Sequence, residues 1–471
     1  LHSFPTRRSS DLHIDARIDA EGNAHLGAPL ELVLLGFSLD EENAFLTVID
    51  DMPLLARTGA PPVLAEVLHK RSDTQAPWVR EDRGNESAAP VTQRAAAVGD
   101  FDGDGIEELA LARLQGGQVM VELKETADPN IAPVISVVPM PASLGAVNDL
   151  RIAAGDVDGD RKWELVLAAS GPRVAGQRTR TSVLVLDDLD GDLAVLREIP
   201  FESTLNRVDV HVVLEPGNVD YDVQDEIVVV LNEIDTDSQE PAQAATRMFV
   251  FDDAGRAFTQ LLADTPTVVT SSASYVAQAA DVAIGDFDDD DLNEIVAGGI
   301  AGMTVGNPVC NLDGSLRYVA VLYEFDGRSV ARTSMSASKD SDLVYPSTCQ
   351  DDGPWMMRFA FVNAVDLDGD LDHEFNVNQY VFSGFPAQDA RWEQTSVARL
   401  PPTVLFPEGS SGALVFDRHI AALEAGDVNG DARDDLVSFR AGFPQLQVFS
   451  LTEEDGFYRS ARLYGDRKSV V

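Results

Sequence analysis

Cysteine is almost missing from this chain: Cys310 and Cys349 are the only two in 471 residues. They are too few to scaffold the fold. As a disulfide they would close a loop of about 40 residues, which the chain-entropy model values at about 4 kcal/mol; the other reading is two separate buried thiols. Lysine is as scarce, with only Lys70, Lys124, Lys162, Lys339 and Lys468. Against 35 basic residues stand 79 acidic ones, a net charge of −44. A surface of that sign repels nucleic acid and anionic membrane. No apolar run approaches the 18 or more residues of a membrane-spanning helix. The seven histidines (His2, His13, His25, His69, His211, His373 and His419) form no spaced cluster, and no GxSxG, HExxH or phosphate-binding loop occurs. Hydrophobic content of 44% with 7% aromatics is that of an ordinary folded, soluble protein.

What is present is an acidic window that recurs six times. Oxygen-bearing side chains stand at positions 1, 3, 5 and 9: Asp100, Asp102, Asp104 and Glu108 in the first copy, and Asp156, Asp158, Asp160 and Glu164 in the second. The third is Asn218, Asp220, Asp222 and Glu226; the fourth is Asp286, Asp288, Asp290 and Glu294. Asp366, Asp368, Asp370 and Glu374 follow, and then Asp427, Asn429, Asp431 and Asp435. Position 7 is Ile106, Lys162, Gln224, Leu292, Asp372 or Arg433, so any side chain is accepted and only a backbone carbonyl is expected to serve there. Positions 2 and 10 are always apolar and should anchor the loop in the sheet while the carboxylates face out. Calcium takes six to eight oxygens at about 2.3–2.6 Å, and alternate side chains on a tight turn can converge on one ion. Six such ions would offset 12 of the 44 charges.

The EF-hand is the obvious rival, and it fails. That loop needs glycine at position 6 and glutamate at position 12. Here glycine holds position 6 only at Gly105, and position 12 is never acidic. A polar turn that needs no ion is the plainer reading, strongest for the third copy with its Asn218, Tyr221 and Val223. Asp188-Leu189-Asp190-Gly191-Asp192 looks similar, but Leu196 at its position 9 makes it a hairpin turn.

Taken in order, residues 1–12 (LHSFPTRRSSDL) and 466–471 resemble translated sequencing adapter and are set aside. Residues 13–53 read as strands, with a hairpin from Leu30–Leu39 and Ala44–Ile49, and 54–90 as a connector or insertion with a short helix over Val63–Lys70. From 91 to 465 a unit of four strands repeats, its acidic loop starting 56, 62, 68, 80 and 61 residues after the last. Four short strands and their turns fill that length, whereas a β-sandwich needs more. The expectation is an all-β chain: a β-propeller, seven-bladed, with six complete blades and a partial N-terminal one.

The GDFDGDG…EL pattern, the strand–loop–strand setting and the repeat number resemble the FG-GAP/VCBS repeats of integrin-α-like propellers. The resemblance covers about residues 91–465. It implies seven blades, calcium in the loop between the first two strands of each blade, and an extracellular or cell-surface location. The leading expectation is therefore a non-catalytic calcium-binding module for recognition, adhesion or scaffolding, with a protein or carbohydrate ligand. The alternatives are the propeller part of a secreted polysaccharide-degrading enzyme, or of a toxin or surface machine. Gly302–Pro354, the longest insertion, is the place expected for a partner, and no Arg-Gly-Asp occurs. His373 is expected beside the fifth metal loop in a structural role.

Overall fold

A computed structural model gives the architecture. It describes residues 17–18, 24–25, 32–37, 44–49 and 91–464, the last apart from 106, 125–132, 190, 192, 221, 235–243, 253–257, 270–273, 288–291, 302–316, 341–359, 367–372, 379, 384–395, 400–419, 427–432, 441–444 and 452–457. The helix expected at Val63–Lys70, both cysteines with their disulfide and most of the 302–354 insertion lie outside the described residues. Among the described residues no helix is long and apolar enough to cross a membrane.

The chain forms two compact units. One comprises residues 89–362 and 384–396 and holds four antiparallel sheets in succession. The first is β5 (Val91–Gly99), β6 (Glu108–Gln115), β7 (Gln118–Lys124) and β8 (Val134–Val137); the second is β9 (Asp149–Gly155), β10 (Glu164–Ser170), β11 (Arg178–Asp187) and β12 (Ala194–Asn206). The third runs β13 (Asp209–Gly217), β14 (Glu226–Ile234), β15 (Ala244–Asp252) and β16 (Thr259–Asp264). The fourth has five strands rather than the expected four: β17 (Thr267–Val269), β18 (Ser274–Gly285), β19 (Glu294–Ala301), β20 (Arg317–Phe325) and β21 (Val330–Asp340). The extra strand, β17, pairs with Ser274–Val276 at the start of β18, ahead of a bulge between Gln278 and Asp281.

The other unit comprises residues 1–88, 363–383 and 397–471. It includes the hairpins β1 (Arg17–Ile18) with β2 (Ala24–His25) and β3 (Leu32–Phe37) with β4 (Ala44–Ile49). Two four-stranded sheets follow. They are β22 (Val362–Val365), β23 (Glu374–Val377), β24 (Tyr380–Ser383) and β25 (Ser396–Arg399), then β26 (Ile420–Gly426), β27 (Asp435–Arg440), β28 (Gln445–Leu451) and β29 (Tyr458–Tyr464).

In the larger unit, β5 lies against β9, β9 against β13 and β13 against β18. The second and third sheets are thereby covered on both faces. Side chains alternate across a strand, so Leu165 and Leu167 of β10 join one core with Val119, Val121 and Leu123 of the first sheet. Their neighbours Val166 and Ala168 join a second core with Val210, Val212, Ile227 and Val229 of the third. Val228 and Val230 turn the other way, into a third core with Ile284, Ile295 and Val321. This is why β10 and β14 are nearly continuous apolar runs rather than alternating ones.

Candidate metal centre

Each acidic window joins two adjacent strands of its sheet: the first and second in β5–β6, β9–β10, β13–β14, β22–β23 and β26–β27, and the second and third in β18–β19, where β17 comes first. The first loop is held by its own carboxylates. Asp100 Oδ1 and Oδ2 accept the N–H groups of Gly103 (2.7 Å) and Gly105 (3.0 Å), and Asp102 Oδ1 that of Asp104 (3.0 Å). The second copy repeats the arrangement, with Asp156 accepting from Gly159 (2.8 Å) and Arg161 (3.1 Å) and Asp158 from Asp160 (3.1 Å). Such bonds curl the loop and leave carboxylate lone pairs facing one centre.

The position-9 glutamates do not face out, contrary to expectation. Glu108, Glu164 and Glu226 are each 0% exposed. They lie beneath the loop, where Oε2 accepts the N–H of position 2: Phe101 (2.9 Å), Val157 (2.9 Å) and Val219 (2.6 Å). Glu294 does the same for Phe287 (2.8 Å). One oxygen thus supports the backbone of the loop and leaves the second for another partner. In Glu164 and Glu226 that second oxygen, Oε1, is buried without a hydrogen-bond partner.

Burial, opposed by the Val157 N–H and reinforced by the charges of Asp158, Asp156 and Asp187, pushes Glu164 up to about 9. Burial also pushes Glu226 up to about 9; the Val219 N–H lowers it, and Asp220, Asp252 and Asp222 raise it. Each site therefore needs either a proton or a cation near that oxygen, because a buried charge without a counter-charge is costly.

Ligand atoms of Asp100, Asp102 and Glu108 lie within 4.8 Å of one another, as do those of Asp156, Asp158 and Glu164. These are positions 1, 3 and 9; Asp104 and Asp160, at position 5, are outside the trios. In the third copy the trio is Asp220, Asp222 and Asp252, the last from the end of β15. These acidic clusters could hold a metal ion. Lys162 and Gln224, at position 7, give their N–H groups to Asp160 (2.8 Å) and Asp222 (2.9 Å). In the fourth loop Asp286, Leu292 and Glu294 are described, and in the fifth Asp366 and Glu374; in the sixth Arg433 and the backbone of Asp435 are. Ile106, Asp288, Asp290, Asp368, Asp370, Asp372, Asp427, Asn429 and Asp431 lie outside the described residues.

Position 8, for which the sequence suggested no role, links one loop to the next. Trp163 N–H donates to the Asp100 carbonyl (2.8 Å), and Asp225 N–H to the Asp156 carbonyl (2.8 Å). Asp225 Oδ2 accepts the Asp156 N–H in return (3.1 Å). Asn293 Nδ2 donates to the Asn218 carbonyl (2.8 Å). In the smaller unit Asp434 brackets Asp366 with the same two bonds, 2.7 and 3.0 Å. Position 8 varies as Glu, Trp, Asp, Asn, His and Asp, because much of the linkage is main-chain. Asp188–Asp192, meanwhile, turns β11 into β12, with Gly191 N–H on the Asp188 carbonyl (3.0 Å).

No family model matches the chain, and no curated relative does. Among solved structures it is similar to the GH93 α-L-arabinofuranosidase of Fusarium graminearum with arabinobiose, at 10% identity and a TM-score of 0.41, over 79% of this chain and 93% of that one. It is also similar to rhamnogalacturonan lyase YesW, at 16% identity and a TM-score of 0.34, over 80% and 73% respectively. The exotype rhamnogalacturonan lyase YesX matches at 12% identity and a TM-score of 0.35, over 79% and 64%. Likenesses this distant assign neither a family nor a substrate. They do correct one expectation: with a glycosidase and lyases as its structural neighbours, the chain is not set down as a non-enzyme.

Proposed function

We propose that the acidic loops are calcium sites, one per sheet, in a seven-bladed β-propeller of FG-GAP/VCBS type built from residues 91–465 and the N-terminal hairpins. The observation that carries the calcium reading is the buried, unpartnered Oε1 of Glu164 and Glu226, each beneath a loop of further carboxylates. An all-oxygen donor set on a tight turn suits calcium, and affinities of extracellular modules, about 10⁻⁴–10⁻³ M, suit a surface or secreted setting. The cores shared between successive sheets of the larger unit support the propeller. Thermal melting in metal-free buffer, with and without calcium, tests the metal reading. Chelation should lower the melting temperature, and an unmoved curve would rule the sites out.

For the whole protein, the polysaccharide-degrading reading replaces the non-catalytic one, with a carbohydrate as partner. Arabinobiose and rhamnogalacturonan, the compounds named with the similar structures, are the first probes. Turnover or saturable binding of either supports the reading; neither, with calcium bound and the fold intact, counts against it.

A further inference from the structure

The third loop is the one whose sequence fits a metal site least well, because position 1 is the neutral Asn218. Its side chain is turned into the loop. Asn218 Nδ2 donates to the Asp222 carbonyl (2.6 Å), and Oδ1 accepts the Asp220 N–H (3.3 Å). In the first two copies position 1 instead carries a carboxylate that belongs to the converging trio.

The missing charge has a replacement at a fixed place in the sheet. Ile227, position 10 of the third loop, pairs with Phe251 of β15, so the next residue on that strand, Asp252, emerges beside the loop. The ligand atoms of Asp220, Asp222 and Asp252 lie within 4.8 Å of one another. Beneath them Glu226 is 0% exposed, with Oε1 lacking a hydrogen-bond partner. The same step along the strand that pairs with the one leaving the loop is acidic in the second and fourth sheets. Leu165 pairs with Leu186, followed by Asp187, and Ile295 pairs with Tyr323, followed by Glu324. Ser383 and Ser450 occupy that place in the last two sheets.

We infer that Asp252, a third-strand carboxylate outside the loop, completes a divalent-cation site with Asp220, Asp222 and Glu226. It supplies there the charge that Asn218 lacks. This rests on the calcium reading of the loops. Three converging carboxylates beside a fourth that is buried repel unless a cation sits among them, and oxygens alone select a hard ion such as calcium.

The test counts bound ions on the full chain by native mass spectrometry at graded free calcium. The proposal expects Asp252→Asn to lose one ion at a calcium concentration that fills the parent, with at least tenfold weaker binding at that site. Asp222→Asn should lose the same ion. Adding Asn218→Asp to Asp252→Asn should restore it, which a merely structural role for Asp252 would not. Should Asp252→Asn misfold, judged by circular dichroism, Asp252→Ser removes the same charge and gives the same readout. An unchanged count in the Asp252 variants, with an ion lost in Asp222→Asn, overturns the proposal and leaves the loop reading standing. An unchanged count in Asp222→Asn as well removes the third loop from the calcium reading altogether.

Discussion

Gly155 precedes the first ligand of the second loop, and a methyl group there would stand 2.6 Å from Pro216 Cβ and 2.7 Å from Asp225 Oδ2. Gly99 meets the Trp163 ring at 2.6 Å in the same way. Glycine at this place thus makes room for the adjoining loop rather than for a turn. A second single-residue effect concerns Asp281, where β18 bulges. Burial, with the Glu215 charge adding to it, pushes its carboxyl up to about 7, against the pull of the Val362 and Val282 N–H groups. Val362 N–H lies 2.9 Å from Asp281 Oδ2. A carboxyl raised in the folded state binds its proton more tightly folded than unfolded. Between the ordinary value of 3.8 and about 7, stability must therefore fall as pH rises. Denaturant unfolding at saturating calcium should show this decline, and Asp281→Asn, which keeps an acceptor for Val362 but cannot ionise, should flatten it. An equal slope in both proteins would remove Asp281 as its source.

At the scale of elements, the loops are chained. Asp225 holds both the carbonyl and the N–H of Asp156 from the next sheet, so the first ligand of one loop is fixed by the eighth residue of the following loop. Asp225→Ala keeps the main-chain bond and leaves the Asp156 N–H without its acceptor. The expected loss is about 1–3 kcal/mol of stability, measured by urea unfolding. Asp225→Asn, which can still accept, should lose less. Weaker calcium binding at the second loop should accompany the alanine change, since its position-1 carboxylate loses its backbone anchor. Equal stability of the alanine variant and the parent would mean that the bracket does not bear on the fold.

For the whole molecule, calcium acts on the folded state alone, and in the larger unit successive sheets share their cores. Occupancy at 100 times Kd adds about 2.7 kcal/mol per site. With several loops filled, and roughly 2–4 °C per kcal/mol for domains of this size, chelation should lower the melting temperature by about 10 °C or more. The acidic surface makes that dependence stronger, because 79 acidic residues repel one another when the ions leave.

Succession of sheets and the place of each loop were legible in the sequence because both are local. Five or six apolar residues, an acidic turn and another apolar run specify a strand–loop–strand wherever they occur, and the N-terminal hairpin followed from the same pattern. Positions 1, 3 and 9 could be named as partners because they lie within one turn. The inward turn of the position-9 glutamate was not legible, since either face of β6, β10 or β14 is apolar. Nor were Asp252, Asp225 or the reason for Gly155. Asp252 reaches the third loop only through the register of β14 with β15, and Asp225 meets Asp156 across 69 residues of sequence. What the sequence determined by itself was the repeated acidic loop; which groups close each loop was decided by the pairing of strands and the packing of sheets, which bring distant residues within hydrogen-bonding reach.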